Sequence, residues 1–216
     1  MARAVSIKLA AALGQQFVID NRPGAGGIIG AEMGAHAVPD GYTLFLGGVA
    51  SHGIVPNLRR NLPYDPIKDF SPVGLIAAAP LVLVVYPSVA ATNVKEFVQL
   101  AKAKPGQLNF ASNGTGGSSH MAAELFKMIT ATDLTHVPYR GAGPAMQDLL
   151  AGNVDMMFDG MGTSASQIRT NRLLGLAVAT PQRNPEFPDI PTSAEVGVPN
   201  WIVSTWYGLW ALKGTP

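Results

Sequence analysis

Cysteine is absent from the 216-residue chain, which excludes disulfides, thiolate metal sites and a cysteine nucleophile. Charge is scarce as well. Fifteen basic and 14 acidic residues leave a net charge of +1, and charged residues make up 13% of the chain, about half of the ~25% common in globular domains. So balanced a chain has no basic stripe to neutralise a row of phosphates, and nucleic acid is not an expected partner. Long apolar runs are missing too: the charge-free stretch 70–94 is interrupted by Pro72, Gly74, Pro80 and Pro87, and its apolar centre, 75–86, falls short of the ~20 residues of a spanning helix. Direct membrane insertion is not expected. The four histidines, His36, His52, His120 and His136, lack the spacing of a helical metal site, and Ser51 lacks the glycine two residues earlier that a nucleophile elbow needs. No paired acid and base stand out, so neither an enzyme nor a cofactor is expected.

What the chain does have is 47% hydrophobic residues, 24 glycines and 17 prolines, enough apolar surface for a core divided among short elements by many turns. Residues 1–14 read as an amphipathic helix rather than an export signal, because Arg3 and Lys8 interrupt the apolar stretch and Val5, Leu9, Ala12 and Leu13 share one helical face. A short strand is expected at 17–19, a small-residue helix after the glycine-rich turn 24–30, a buried strand at 42–46, and two β-rich runs, 73–79 and 81–86, joined at Pro80. Asn93 with Glu96 caps a helix that Lys104-Pro105-Gly106 ends. Strands at 108–111, 134–137, 154–158 and 173–179 then alternate with helices at 118–130, 144–151 and 164–170, a rhythm that predicts parallel βαβ units. The proline-rich stretch 180–200 reads as mainly a surface connection into a last strand at 206–212.

Three turns carry possible chemistry. Gly24-Ala25-Gly26-Gly27-Ile28-Ile29-Gly30 departs from a dinucleotide fingerprint at Ile29 and reads as a tight turn with close helix packing. The segment from Phe110 to His120 ends a strand, passes through Ser112, Asn113, Gly114, Thr115, Gly116, Ser118 and Ser119, and opens a helix. Such a turn can aim backbone N–H groups and hydroxyls at one anion with the helix N-terminus behind them, and its lack of formal charge suits a carboxylate that must be released. The same residues also fit a Ser-capped helix after a flexible turn. In the third turn, Tyr139-Arg140-Gly141, Arg140 fits either a fork onto a carboxylate or an ion pair with a nearby Asp. Asp159, at the end of a strand, fits either a ligand contact or a cap on the next helix.

The motifs Asn21-Arg22-Pro23-Gly24-Ala25-Gly26-Gly27, Pro39-Asp40-Gly41-Tyr42-Thr43-Leu44, Ala111-Ser112-Asn113-Gly114 with His120, Val137-Pro138-Tyr139-Arg140-Gly141, and Asp155 to Asp159, with Trp206-Tyr207-Gly208 and Gly214-Thr215-Pro216 at the end, follow one another along the whole chain. In them it resembles the Bug, or tripartite tricarboxylate transporter, substrate-binding proteins. The resemblance implies an α/β fold of the type II periplasmic-binding-protein kind: two parallel-sheet lobes, 1–86 with 204–216 and 87–203, joined by a two-strand hinge. By position it puts ligand contacts at Gly48, Val49, Ala50 and Ser51, at Ser112, Asn113, Gly114, Thr115, Gly116, Ser118, Ser119 and His120, at Tyr139, Arg140 and Gly141, and at Asp159. It implies a small organic anion as ligand, membrane transporter subunits as partners, and a periplasmic location.

Family members usually carry an export signal, a first strand and a ligand-binding loop before this region, and extend past it. The resemblance therefore covers about two thirds of a family protein, with the first lobe expected to be incomplete. Other readings stay open at this point: a truncated fragment that does not bind, an enzyme of the same two-lobed architecture, or a LysR-type effector domain, for which no DNA-binding segment is visible.

Overall fold

The computed structural model describes residues 1–216. In chain order the elements are α1 (Ala2–Leu13), α2 (Ile28–Ala35), β1 (Leu44–Gly48), α3 (Val55–Leu58), β2 (Phe70–Val85), α4 (Val94–Ala103), β3 (Asn109–Ser112), α5 (Ser118–Thr130), β4 (Thr135–Pro138), α6 (Ala142–Leu150), β5 (Met156–Gly160), α7 (Met161–Arg169), β6 (Leu174–Val178) and β7 (Ser204–Leu212). A 3-10 turn, Ala25–Gly27, leads into α2, and a π-helical turn, Ala50–Ile54, leads into α3.

The α/β alternation follows from local signals. At α4 the Asn93 side chain accepts from the Glu96 N–H at 2.9 Å, and the Glu96 carboxylate accepts from the Thr92 N–H at 2.8 Å, so two otherwise orphaned N–H groups are satisfied. Gly14 ends α1 in the left-handed region at φ 66°, where a side chain is disfavoured.

The strands run in the order β1-β7-β2-β5-β3-β4, with β6 also paired to β2. The 16-residue β2 organises this arrangement. Its first part, 70–80, pairs antiparallel with β7, while 81–85 lies between β5 and β6, antiparallel to both. The expected parallel pairing holds for β5-β3-β4, whereas β1, β7 and β2 pair antiparallel, so the sheet is mixed. Along β2, Leu81, Leu83 and Val85 face one apolar cluster with Phe97, Phe110, Phe126, Phe158 and Trp201. Val82 and Val84 face another with Leu149, Met157 and Ile190. The period of two thus buries both faces. A smaller cluster of Ile28, Ala31, Val55, Tyr64 and Phe70 holds α2 and α3 onto the β1-β7-β2 strands.

Two segments cross side by side between the strand groups. Pro80 is registered opposite Ser204, the Leu81 N–H donates to the Val203 carbonyl at 3.2 Å, and the Val203 N–H donates to the Ala179 carbonyl at 3.1 Å.

Several local expectations change. Residues 17–19 form no strand, because no neighbour offers a ladder there, and Val18 is exposed. The runs at 73–79 and 81–86 are one strand, since Pro80, which cannot donate, sits at the point where β2 exchanges β7 for β5 and β6. The strand expected as buried at 42–46 begins at Leu44, and its outer edge has no partner strand; Tyr42 is exposed. The stretch 180–200 packs more than a surface connection does, burying Phe187, Ile190, Thr192, Ser193 and Val198. The helical segment after β1 went unread because Gly53 and Pro56 interrupt its pattern.

Candidate functional site

A cavity of about 590 Å³ opens where the starts of three helical segments meet. The first is the glycine turn before α2, with Gly26 at φ 67° and Gly27 at φ 95°. The second is Gly48 to Ser51, where β1 turns into the π-helical segment. The third is the start of α5, represented in the lining by Asn113 and Ser118. Glycine makes their approach possible: a Cβ on Gly26 would lie 2.8 Å from the Thr115 carbonyl oxygen, and one on Gly48 would clash with the Trp206 carbonyl oxygen. Thr205, Trp206 and Tyr207 complete the wall.

Accounting for the N–H groups shows which are free to meet a ligand. Within the turn before α5, the Asn113 N–H donates to Ser119 Oγ at 2.8 Å and the Gly114 N–H to Ser112 Oγ at 3.2 Å. The Gly116 N–H donates to His120 Nδ1 at 3.2 Å and the Gly117 N–H to the Gly114 carbonyl at 2.9 Å. The turn is therefore braced by its own donors. Besides the Thr115 N–H, what remains is the start of α5, where the N–H groups of Ser118, Ser119 and His120 precede the first intrahelical bond, beside the Ser118 hydroxyl. Across the cavity the π-helical segment Ala50–Ile54 is closed at its far end by the Val55 N–H donating to the Ala50 carbonyl, and the N–H groups of Val49, Ala50 and Ser51 stand at its start.

The formal charges on the lining are Asp20 and Arg22, and these pair with each other at 2.8 Å. The site is thus an array of helix-start dipoles and hydroxyls between apolar walls. Such an array attracts a small anion and releases it more readily than a lysine clamp would.

Of the residues expected to touch a ligand, Gly48, Val49, Ala50, Ser51, Asn113 and Ser118 line the cavity. Gly114, Thr115 and Gly116 lie behind it, with Gly114 close to Gly26 and the Tyr139 carbonyl, and Gly116 against Val55 and Leu58. Ser112 and Ser119 are buried in the bracing bonds. Ser112 Oγ also lies 2.6 Å from His136 Nε2, and the His136 ring stacks on His120 at 4.1 Å and on Phe110 at 4.8 Å. Burial, His120 and Lys127 bring the His136 pKa down to about 4.

The third turn points elsewhere. The Tyr139 hydroxyl donates to Asp148 at 2.6 Å, Arg140 is exposed on the surface, and Gly141 starts α6 at φ 111°. Asp159 shares the carboxyl edge of β5 with the end of β3 but is buried, accepting from the Ser164 hydroxyl at 2.7 Å and from Thr163; burial raises its pKa. The lining also includes residues not singled out as ligand contacts, among them Asp20, Arg22, Gly26, Gly27 and Trp206. The double glycine was the available signal, because two successive left-handed residues mark a place where backbone comes close.

Solved structures give the fold a wider setting. The chain is 34% identical to the periplasmic binding protein BugD, with a TM-score of 0.95, covering 100% of this chain and 72% of that one. It is 37% identical to MatC from Rhodopseudomonas palustris with bound malate, TM-score 0.95, covering 100% and 73%. It is 36% identical to another R. palustris protein, solved with adipate, TM-score 0.96, covering 100% and 72%. These place the α/β fold among type II-like periplasmic binding proteins. The chain spans 64 to 66% of the length of the first curated relatives it matches. The family model described as tripartite tricarboxylate transporter family receptor matches residues 1–216, and with the glycine-lined cavity and neighbours of this kind, the chain belongs to that receptor family.

Proposed function

We propose that the chain carries the ligand cleft of a periplasmic solute-binding protein that captures a small carboxylate for a tripartite tricarboxylate-type membrane transporter. The observation that carries this reading is the convergence of helix starts on one cavity whose lining has no unpaired charge. Malate and adipate, bound by the two neighbours, are both short dicarboxylates, and a cavity with donors on opposite sides suits a carboxyl group at each end of an apolar stem. Residues 1–86 with 204–216 form one lobe and 87–203 the other, closing about the paired crossings at Pro80 and Val203. Gly48 to Ser51 serve from the first lobe and Asn113 and Ser118 from the second, while Ser112, Ser119 and His120 hold the second turn in shape. Tyr139, Gly141 and Asp159 set the neighbouring edge, and binding breaks no bond. The groups a proton-transfer chemistry would use, Asp159 and His120, are already bonded within the protein.

Calorimetric titration with malate, adipate, acetate and an uncharged diol tests this proposal. Both dicarboxylates should bind and the diol should not. Ser118→Ala should weaken binding roughly ten- to hundred-fold, the value of ~1.5–3 kcal/mol for a hydrogen bond to a charged group. No binding of any carboxylate, or an unchanged affinity in the variant, would count against it.

A further inference from the structure

The Ser51 hydroxyl, on the cavity wall, has three partners inside the protein. Its Oγ accepts from the Gly48 N–H at 3.2 Å, lies 3.3 Å from the Gly48 carbonyl oxygen, and lies 3.0 Å from His52 Nδ1. A hydroxyl has one proton and two acceptor positions. The protonation of His52 Nδ1 therefore decides whether Ser51 can donate into the cavity. If Nδ1 is bare, Ser51 spends its proton on the ring and shows a ligand only a lone pair. If Nδ1 carries hydrogen, it fills the second acceptor position and the Ser51 proton is free.

The ring's surroundings choose between these states. His52 is sandwiched among aromatics, stacked on Trp210 at 4.2 Å with interplanar angle 10°, edge-on to Phe70 at 5.0 Å and beside Phe45 at 5.8 Å. Its Nε2 is buried with no hydrogen-bond partner. A buried N–H with no acceptor is the rarer and costlier orphan, whereas a bare nitrogen facing apolar rings forfeits less. Phe45, Phe70 and Trp210, from β1, β2 and β7, bring no charge to the ring. The titratable group bonded beside it is Tyr64, whose hydroxyl donates to the Ser51 carbonyl at 2.7 Å. Burial lowers the His52 pKa to about 4, so the ring is neutral at physiological pH.

We propose that His52 is a positioning residue of the binding site: held as the neutral tautomer with hydrogen on Nδ1, it donates to Ser51 Oγ and turns the Ser51 hydroxyl into a donor for a ligand carboxylate oxygen. The inference rests on the carboxylate reading for its ligand, but its tautomer claim stands apart from it. The Gly48 carbonyl oxygen takes the Ser51 proton through a long bond of 3.3 Å, and a charged ligand oxygen competes with it easily.

Imidazole nitrogen NMR spectra of the wild-type protein at neutral pH test the tautomer without any ligand. The expected result is hydrogen on Nδ1 and a bare Nε2, unchanged between neutral pH and pH 5; hydrogen on Nε2 overturns the proposal. Malate and adipate titrations then test the coupling. Ser51→Ala and His52→Phe, the second of which keeps the aromatic stack, should each weaken binding roughly ten- to hundred-fold. The double variant should be no weaker than the worse single variant, and His52→Asn, which restores an N–H near Nδ1, should recover most of the loss. Independent, multiplying losses in the double variant overturn the proposal. Failure of the wild-type protein to bind either dicarboxylate overturns the carboxylate reading instead, and the imidazole spectra still decide His52.

Discussion

Half-buried histidines and a buried carboxylate give this protein opposite pH responses at single residues. His52 and His136 take up protons only near pH 4 in the folded state, against about 6.5 in an unfolded chain. As pH falls through that window the unfolded state binds more protons, so stability is lost. Equilibrium denaturation between pH 7 and pH 4 should show this fall, and His136→Gln should flatten it; an unaltered slope would remove His136 from the account. Asp159 runs the other way. Its folded pKa is raised by burial, so the folded state takes up a proton first and stability falls as pH rises through the carboxylate range. Asp159→Asn should therefore gain stability relative to wild type at pH 7 and lose that advantage by pH 4, again measured by denaturation. Which residues of a turn line the cavity was only partly legible. Asn113 and Ser118 were readable from a hydroxyl-rich turn opening a helix, but sequence does not reveal that Ser112 and Ser119 are consumed in bracing bonds, or that Tyr139 turns to Asp148.

The elements read best from sequence where capping and periodicity agree, as at α4, which starts after Asn93; α5 also starts where its pattern does, at Ser118, but with no side-chain cap. They read worst where the deciding partner is distant in sequence. Residues 17–19 have a strand's composition but no neighbour to pair with, and β2 passes through Pro80 because two different sets of strands receive its halves. The contact between the turn before α2 and the turn before α5 is another such case, and it yields a prediction. Gly26 combines φ 67° with a Cβ position 2.8 Å from the Thr115 carbonyl. Gly26→Ala should hold the two turns apart, weakening malate affinity and enlarging the radius of gyration in solution scattering; an unchanged radius would show that this contact does not govern approach of the two strand groups.

Across the whole molecule, the α/β class was legible because βαβ rhythm is local, whereas the paired crossing came from the family resemblance rather than from any local pattern. The antiparallel pairing of β1, β7 and β2 was not legible, since β7 arrives from the far end of the chain. Stability is uneven for the same reason. α1 buries no residue and β1 is paired on one edge, while β3 and β5 sit inside the largest core. Amide exchange in residues 1–48 should be faster than in β3 and β5; equal protection would contradict that ordering. The central claim, that helix starts around one cavity bind a carboxylate, is tested most directly by an amide NMR titration with malate. The account predicts saturable shifts concentrated at Val49, Ala50, Ser51, Ser118 and Ser119, on both sides of the cavity. Shifts confined to another surface, such as the groove at Arg59, Arg60 and Tyr64, or no saturable shifts at all, would contradict it.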